Sequence, residues 1–449
     1  ASDVYKRQDV DGVTSSHLFL TALRRVGAKV DVVIPHRIQD GYGLSLHLLQ
    51  QAKEDGVDTI LTCDNGIAAI DEIAWAKAQK MTVLVTDHHA VPFEEHEGRR
   101  TEKKSLADAV VNPHQQDCGY PYKELCGAGV AWNVIRVLYE NYDMDKREAE
   151  DLLDFVAMAT VCDVMSLTGE NRILVKEGLK RIRHTKNIGL QALMQACNVQ
   201  PENISAYHFG YVLGPCVNAT GRLDTARHAL RLFETGQETE AEEIARDLVD
   251  LNQERKELTL QGVEMAKKLC EEGGYENDPV LVLFLPDVHE SIAGLIAGRI
   301  REMYNRPVFV LTRGEEGVKG SGRSTENYSM YENMCGCVEL FTKFGGHPMA
   351  AGLSLPEENV EKFRRKINEN CPLTVEEVCP DIHIDMAMPV GYASTELVHQ
   401  FALLEPFGKD NPSPLFADRN LSISRMWLIG KNRNVLRMSV LSEYGQPVP

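Results

Sequence analysis

The chain has 449 residues, 43% of them hydrophobic and 25% charged, the make-up of a globular protein with room for two to four domains. No apolar run reaches 18 residues and no signal-peptide pattern opens the chain, which argues against a membrane-spanning or exported protein. A formal net charge of −18 is unusual for a nucleic-acid binder, but binding depends on where charge lies, and bound divalent cations offset acidity. Eleven cysteines without a repeating pattern fit reduced thiols in a cytoplasm; neither Cys335-Gly-Cys337 nor Cys118/Cys126 has the paired spacing of a zinc site.

Asp9-Val-Asp11-Gly12 comes first, followed by a predicted helix over Val13–Val26. A strand over Val30–Pro35 and a helix over Ser45–Asp55 follow. The β-like run Thr59–Thr62 leads into Asp64-Asn-Gly66, and after a helix over Ile67–Gln79 a second run, Thr82–Thr86, leads into Asp87-His88-His89. Ala109–Asn112 reads as a strand, and Gly127–Tyr142 and Ala149–Ala159 as helices, the last delivering Asp163. This alternation implies a parallel sheet, in which loops at the strands' carboxyl ends converge on one crevice. Asp-x-Asp-Gly or Asp-Asn-Gly alone is more often a plain turn. Asp163 interrupts an apolar run, where a carboxylate needs a cation or hydrogen-bond donors. Taken together, oxygen-rich ligands with one or two histidines suit Mn²⁺ or Mg²⁺, and two such ions form a clamp for phosphoester hydrolysis.

From Glu238 to Glu272 no proline interrupts a sequence rich in Glu, Ala, Leu, Lys and Arg, with Ile244, Leu248, Leu251 and Leu258 at helical spacing. This predicts one long connector helix ending at Gly273-Gly274. A second α/β unit follows: a strand over Val280–Leu285, a helix over Ser291–Tyr304 and a strand over Pro307–Thr312. Gly345-Gly-His347-Pro-Met-Ala-Ala-Gly352 reads as a glycine-dense loop around a histidine. Beyond Pro372, short β-like runs at Ile382–Asp385, Leu421–Leu428 and Val435–Val440 suit a small barrel. Between Lys409 and Glu443, six Lys/Arg face three acids, a local basic excess that alone reads as ordinary surface variation.

The set Asp9-Val-Asp11-Gly, Asp64-Asn-Gly, Asp87-His88-His89 and Val-Cys-Asp163-Val-Met-Ser-Leu resembles the DHH phosphoesterase superfamily. Gly-Gly-His347-Pro-Met-Ala-Ala-Gly resembles the associated DHHA1 domain. Within the superfamily the chain is similar to the RecJ family, bacterial 5′→3′ exonucleases specific for single-stranded DNA. Gly214-Pro-Cys-Val-Asn218-Ala-Thr-Gly-Arg222-Leu, His289-Glu-Ser-Ile-Ala-Gly, Lys319-Gly-Ser321-Gly-Arg323-Ser and Pro406-Phe-Gly-x-x-Asn411-Pro add to that likeness, in the family's order. The resemblance implies an α/β fold in four parts: a parallel-sheet DHH domain over 1–233, a connector helix over 234–273, a smaller α/β DHHA1 domain over 274–372, and a partial β-barrel (OB-fold) over 373–449.

It also implies roles. Asp9 and Asp64 would hold one metal; Asp11, Asp64, His88 and Asp163 would hold the second, with Asp64 bridging. His89 would face the scissile phosphate, so that Asp64, His88, His89 and Asp163 form the catalytic set. Asn218 and Arg222 would contact DNA phosphates, and Ser321, Arg323 and His347 would grip the strand near its 5′ end. Two ions, Mn²⁺ or Mg²⁺, are the implied cofactors. Single-stranded DNA, a single-strand-binding protein and a RecQ-type helicase are the implied partners of a cytoplasmic monomer with no membrane attachment.

Three departures carry expectations of their own. Val4-Tyr-Lys-Arg-Gln8 does not read as the apolar strand that family members carry before the first acids. A sheet position should therefore stand empty, leaving Asp9 and Asp11 mobile and the first metal weakly held. Cys216 stands where the family usually has Arg, and the chain stops at Pro449, inside what would be the barrel. Two other readings remain: a DHH phosphodiesterase for short RNA or cyclic dinucleotides, and a non-catalytic DHH scaffold that binds DNA.

Overall fold

The computed structural model describes residues 2–5, 9–34, 44–96, 99–223, 226–275, 278–314, 317–374, 382–430, 433–442, 444–445 and 447–448. They divide into two units, residues 1–248 with 383–449, and residues 249–382. The first unit is built on strands β1 (Ser2–Tyr5), β2 (Val30–Val33), β3 (Thr59–Cys63), β4 (Thr82–Thr86) and β7 (Ala109–Val111), in the order β2-β1-β3-β4-β7. Every pairing in this sheet is parallel. A small antiparallel hairpin, β5 (Phe93–His96) and β6 (Arg99–Glu102), stands outside it. The central strands are β-branched and apolar because a parallel sheet is covered on both faces. Ile60, Val83 and Val85 are buried against Leu49, Ile73 and Ala76 of α2 (Leu46–Glu54) and α3 (Ile70–Ala78).

The expected gap in the sheet does not exist. β1 fills it, pairing with β2 through Ser2↔Val30 to Tyr5↔Val33 and with β3 through Ser2↔Thr59 to Tyr5↔Thr62. Four residues with partners on both sides suffice for a strand. Lys6, Arg7 and Gln8, which weighed against one, come after it in sequence and lie outside the described residues.

Helix α1 (Val10–Arg25) is buried along most of its length and packs on α4 (Gly127–Asn141) and α6 (Leu153–Cys162). The helix expected over Ala149–Ala159 is two, α5 (Lys146–Glu150) and α6, divided at Asp151-Leu152, and Asp163 caps the carboxyl end of α6. Helices α7 (Gly169–Ile182), α8 (Ile188–Ala196), α9 (Ala206–His208), α10 (Gly214–Leu223) and α11 (Ala226–Glu234) complete this part, with a π-helical turn, Phe209–Leu213, between α9 and α10. Cys216 is buried in α10, its Sγ 3.8 Å from Cys197 Sγ. Helix α12 covers Glu238–Glu272 and closes with Gly273 N–H donating to Leu269 O at 2.8 Å.

The second unit holds β8 (Leu281–Phe284), α13 (Glu290–Tyr304), β9 (Val308–Arg313), β10 (Val318–Arg323), α14 (Met330–Cys335), β11 (Lys343–His347), β12 (Ala350–Leu355) and α15 (Val360–Glu369). The sheet order is β11-β12-β10-β9-β8, antiparallel except for β8–β9. One face buries Ile292 and Ile296 of α13, the other Phe363 of α15. The glycine-dense stretch is a hairpin, not a loop: β11 and β12 pair from Lys343↔Ser354 to His347↔Ala350 around Pro348-Met349. At one of these glycines, Gly346, the neighbouring strand approaches too closely for a side chain. Gly346 has φ +155°, and a Cβ there would stand 2.5 Å from Ala350 O.

Near the carboxyl end, β13 (Met386–Ala387) and β14 (Phe416–Ala417) pair in parallel, and α16 covers Thr395–Phe401. β15 (Ser422–Ile429), β16 (Val435–Leu441) and β17 (Pro447–Val448) form an antiparallel sheet. Among the described residues these strands do not close a barrel, and Met386–Ala387, not Ile382–Asp385, is the first of them.

Candidate active site

The carboxyl ends of β3 and β4, the start of α1 and the end of α6 meet at one point. Asp64 follows β3 with φ +58°, a left-handed turn that carries its buried carboxylate across the sheet edge. His88 follows β4, and its Nε2 lies 3.1 Å from Asp64 Oδ1, 3.6 Å from Asp11 Oδ2 and 3.6 Å from Asp163 Oδ2. His89 Nδ1 is 3.9 Å from Asp64 Oδ1. Two overlapping donor sets result, Asp64/His88/His89 and Asp11/His88/Asp163, each with ligand atoms within 4.8 Å of one another. The group they share is His88.

Asp11, expected to lose its anchor with the missing strand, has one. It lies in the first turn of α1, and its carboxylate accepts Gly127 N–H on Oδ2 at 2.6 Å and Ala128 N–H on Oδ1 at 2.7 Å. These are the unpaired amides at the N-terminus of α4, a natural anion site. Burial, then the nearby charge of Asp9, push the Asp11 carboxyl up to about 6 against those two donors. Asp9 caps α1, its Oδ1 accepting Gly12 N–H at 3.1 Å, and it falls in neither donor set.

Asp87, quoted in the motif but given no role, is the orienting residue. Its Oδ1 accepts from His89 Nδ1 at 2.7 Å, His88 N–H at 2.7 Å and His89 N–H at 3.1 Å, and its Oδ2 accepts Ile67 N–H at 2.9 Å. Burial pulls this carboxyl up, but the bonds from His89 and the backbone outweigh it and hold it below the usual carboxylate range. The sequence reading also missed Gly127 and Ala128. The run Gly127-Ala-Gly129 opening a helix was the available sign.

Asn218, in α10, uses its amide oxygen to accept Val10 N–H at 3.0 Å, fixing the junction between Asp9 and α1. Arg222 also belongs to α10; its side chain lies outside the described residues. In the second unit Ser321 and Arg323 lie on β10, two residues apart and so on one face. Arg323 and His347 both pair with Ala350, from its two sides. The Arg323 guanidinium donates to Gly322 O at 2.7 Å and lies close over Gly294, where a Cβ would stand 2.8 Å from Nη2.

A parallel sheet with aspartates and paired histidines gathered at its carboxyl edge is the arrangement of a DHH-class protein. The model of the DHH family, N-terminal domain, matches residues 4–160; the DHHA1 domain matches 277–371, and the RecJ OB domain 384–448. The single-stranded-DNA-specific exonuclease RecJ of Haemophilus influenzae is 35% identical over 457 residues, covering 97% of this chain and 78% of that protein. The RecJ of Bacillus subtilis is 33% identical over 447 residues, covering 99% of this chain. The chain thus belongs to the RecJ family of single-stranded-DNA-specific exonucleases. It spans 55% of the length of the B. subtilis relative. The crystal structure of Thermus thermophilus RecJ in complex with Mn²⁺ superposes with a TM-score of 0.81 at 27% identity, covering 99% of this chain and 63% of that one. The same protein in complex with Mg²⁺ gives 0.73, covering 98% and 60%.

Proposed function

We propose that this chain is a divalent-metal-dependent exonuclease that hydrolyses phosphodiester bonds from the 5′ end of single-stranded DNA. The observation that carries this reading is the pair of overlapping acid–imidazole sets at the sheet's carboxyl edge. Their donors fit the proposed ions: carboxylate oxygens with imidazole nitrogens and no thiolate suit Mn²⁺ or Mg²⁺, the two ions with which the T. thermophilus relative has been crystallised. Asp9 and Asp64 would hold one ion and Asp11, Asp64, His88 and Asp163 the other, with His89 left to face the phosphate. When bound, such ions supply charge neutralisation at the phosphoryl oxygens and a lowered pKa for water.

The protein's own groups do the rest. Asp87 fixes the His89 ring, so that the imidazole meets a phosphate in one orientation. The α4 amides fix the Asp11 carboxylate before any substrate arrives. Ser321, Arg323 and His347 offer a hydroxyl, a guanidinium and an imidazole, donors suited to a terminal phosphate. Arg222 is the proposed further phosphate contact, and Asn218 acts through Val10. A single-strand-binding protein and a RecQ-type helicase are proposed as partners in a cytoplasmic setting, on family resemblance. No helix among the described residues is long and apolar enough to cross a membrane.

The test is release of mononucleotides from single strands labelled at either end, with Mn²⁺, against duplex DNA, short RNA and cyclic dinucleotides. Preferential digestion of single-stranded DNA from the 5′ end supports the reading. Turnover confined to RNA or cyclic dinucleotides, or DNA binding without turnover, overturns it.

A further inference from the structure

A cavity of 670 Å³ opens in the first unit beside Asp163, and the proposed chemistry makes no use of it. Cys162 and Val164, the neighbours of Asp163 in sequence, line it. Another wall is Tyr207 and Tyr211, whose rings stack at 5.1 Å between centroids with 23° between planes. The two tyrosines are 62% and 71% exposed, an open aromatic surface. They straddle the start of the π-helical turn Phe209–Leu213, an irregularity that recurs at functional sites. This wall is tied to the metal-binding end of α6, because Cys162 Sγ donates to Phe209 O at 3.3 Å. The opposite wall, around Pro406 and Phe407, is anchored by Leu167 N–H donating to Lys409 O at 2.8 Å. The cavity is therefore a slot that adjoins Asp163 through its two sequence neighbours and is walled on one side by the aromatic pair.

We propose that this slot is a base-stacking subsite: one nucleobase of the single-stranded substrate lies on the Tyr207–Tyr211 pair while its strand passes Asp163. This rests on the exonuclease reading. Every base has a π-face, so stacking here tolerates any sequence. Bases in a duplex have both faces occupied, so the slot accepts only an unpaired strand and adds to the preference for single strands. The competing explanation is that the rings merely stabilise one another across a helical turn. That role requires no base.

The experiment crosses the rings with the base. Equilibrium binding of fluorescent single strands is measured in EDTA by anisotropy, and hydrolysis with Mn²⁺ is followed in parallel. The unaltered chain and the Y207A/Y211A variant are compared on intact strands and on strands with one abasic position walked from the 5′ end. Base–aromatic stacking predicts that Y207A/Y211A weakens binding and raises KM about 5- to 150-fold, with kcat within about threefold. Y207F/Y211F should retain wild-type binding, since the ring and not the hydroxyl acts. One abasic position should weaken the unaltered chain by a similar factor and the alanine variant hardly further. Equal losses by the alanine variant on intact and abasic strands, at every position, would assign the rings a structural role and overturn the proposal; so would an absence of loss. If tyrosine-dependent binding is found without hydrolysis, the subsite stands and the exonuclease reading falls.

Discussion

Gly127→Ala puts one methyl group where the site has no space for it. A Cβ on Gly127 would stand 2.7 Å from Asp64 Cβ, 3.0 Å from Asp64 Cα and 3.0 Å from Asp11 Oδ2. Carbon atoms rest at about 3.5–4.0 Å, so the strand end carrying Asp64 or the start of α4 must move by close to an ångström. Two opposing effects set the stability. Alanine gains about 0.5–1 kcal/mol over glycine in a helix. Overpacking costs about 1–3 kcal/mol. The variant should thus lose up to about 2.5 kcal/mol, a modest fall in Tm. Activity should suffer more, because the displacement falls on two proposed metal ligands and on the N–H that holds one of them. A misplacement of that size costs on the order of 100-fold in rate. Thermal melting without metal, calorimetric Mn²⁺ titration and nucleotide release together check this. A variant with raised Tm and turnover within about threefold of wild type would refute the close-packing argument and the placing of Asp11 and Asp64.

Asp87→Asn replaces one acceptor oxygen by an NH₂ group among four donors, so it should cost about 1–3 kcal/mol and lower kcat about 10- to 100-fold through a misoriented His89; unchanged kcat and Tm would contradict the orienting role. Asp154, buried on α6 with bonds from Phe155 N–H and Thr185 Oγ, is pushed up to about 6 by burial. Its folded pKa lies above the unfolded one, so its contribution to stability is fully present below pH 3.8 and lost as pH rises through 6, on the order of 3 kcal/mol in all. Asp154→Asn should accordingly gain Tm relative to wild type as pH rises from 4 to 8, and a gap independent of pH in thermal melts would disprove it. Arg323→Ala should weaken single-strand binding about 10- to 100-fold for a lost charge-assisted bond while leaving Mn²⁺ affinity unchanged in calorimetry; collapse of that affinity would make Arg323 structural.

What was legible in the sequence was whatever a short window determines. β3 and β4 were readable because each is a β-branched apolar run closed by a polar turn, and α12 because its spacing is uninterrupted over Glu238–Glu272. Asp11, Asp64, His88, His89 and Asp163 could be singled out because acids and paired imidazoles after buried segments are chemically conspicuous. β1 was not readable: it is a strand because β2 and β3 offer edges to Ser2–Tyr5, a long-range fact. The β11–β12 hairpin was hidden because Gly345, Gly346 and Gly352 signal a loop locally, while only at Gly346 does the close approach of Ala350 and Ala351 call for a bare residue. Gly127 and Ala128 act through backbone N–H groups, which carry no residue signature. The bond from Val10 N–H to the Asn218 amide oxygen, across 208 residues of sequence, could not be read locally either.

Two buried acids of the site, Asp87 and Asp11, are held in different ways. Asp87 receives four donors, enough to keep it ionised below the ordinary range despite burial. Its charge is answered within the protein, so it is free to serve His89 as an orienting partner. Asp11 receives two donors from the N-terminus of α4, and burial with the charge of Asp9 still drives it up to about 6. Those donors fix where its oxygens lie without supplying all the positive charge that the site demands. His88, within 3.6 Å of Asp11 and Asp163 and 3.1 Å from Asp64, is one imidazole facing three carboxylates. Three carboxylates gathered this closely around one imidazole, and neutralised this incompletely, are arranged for cations.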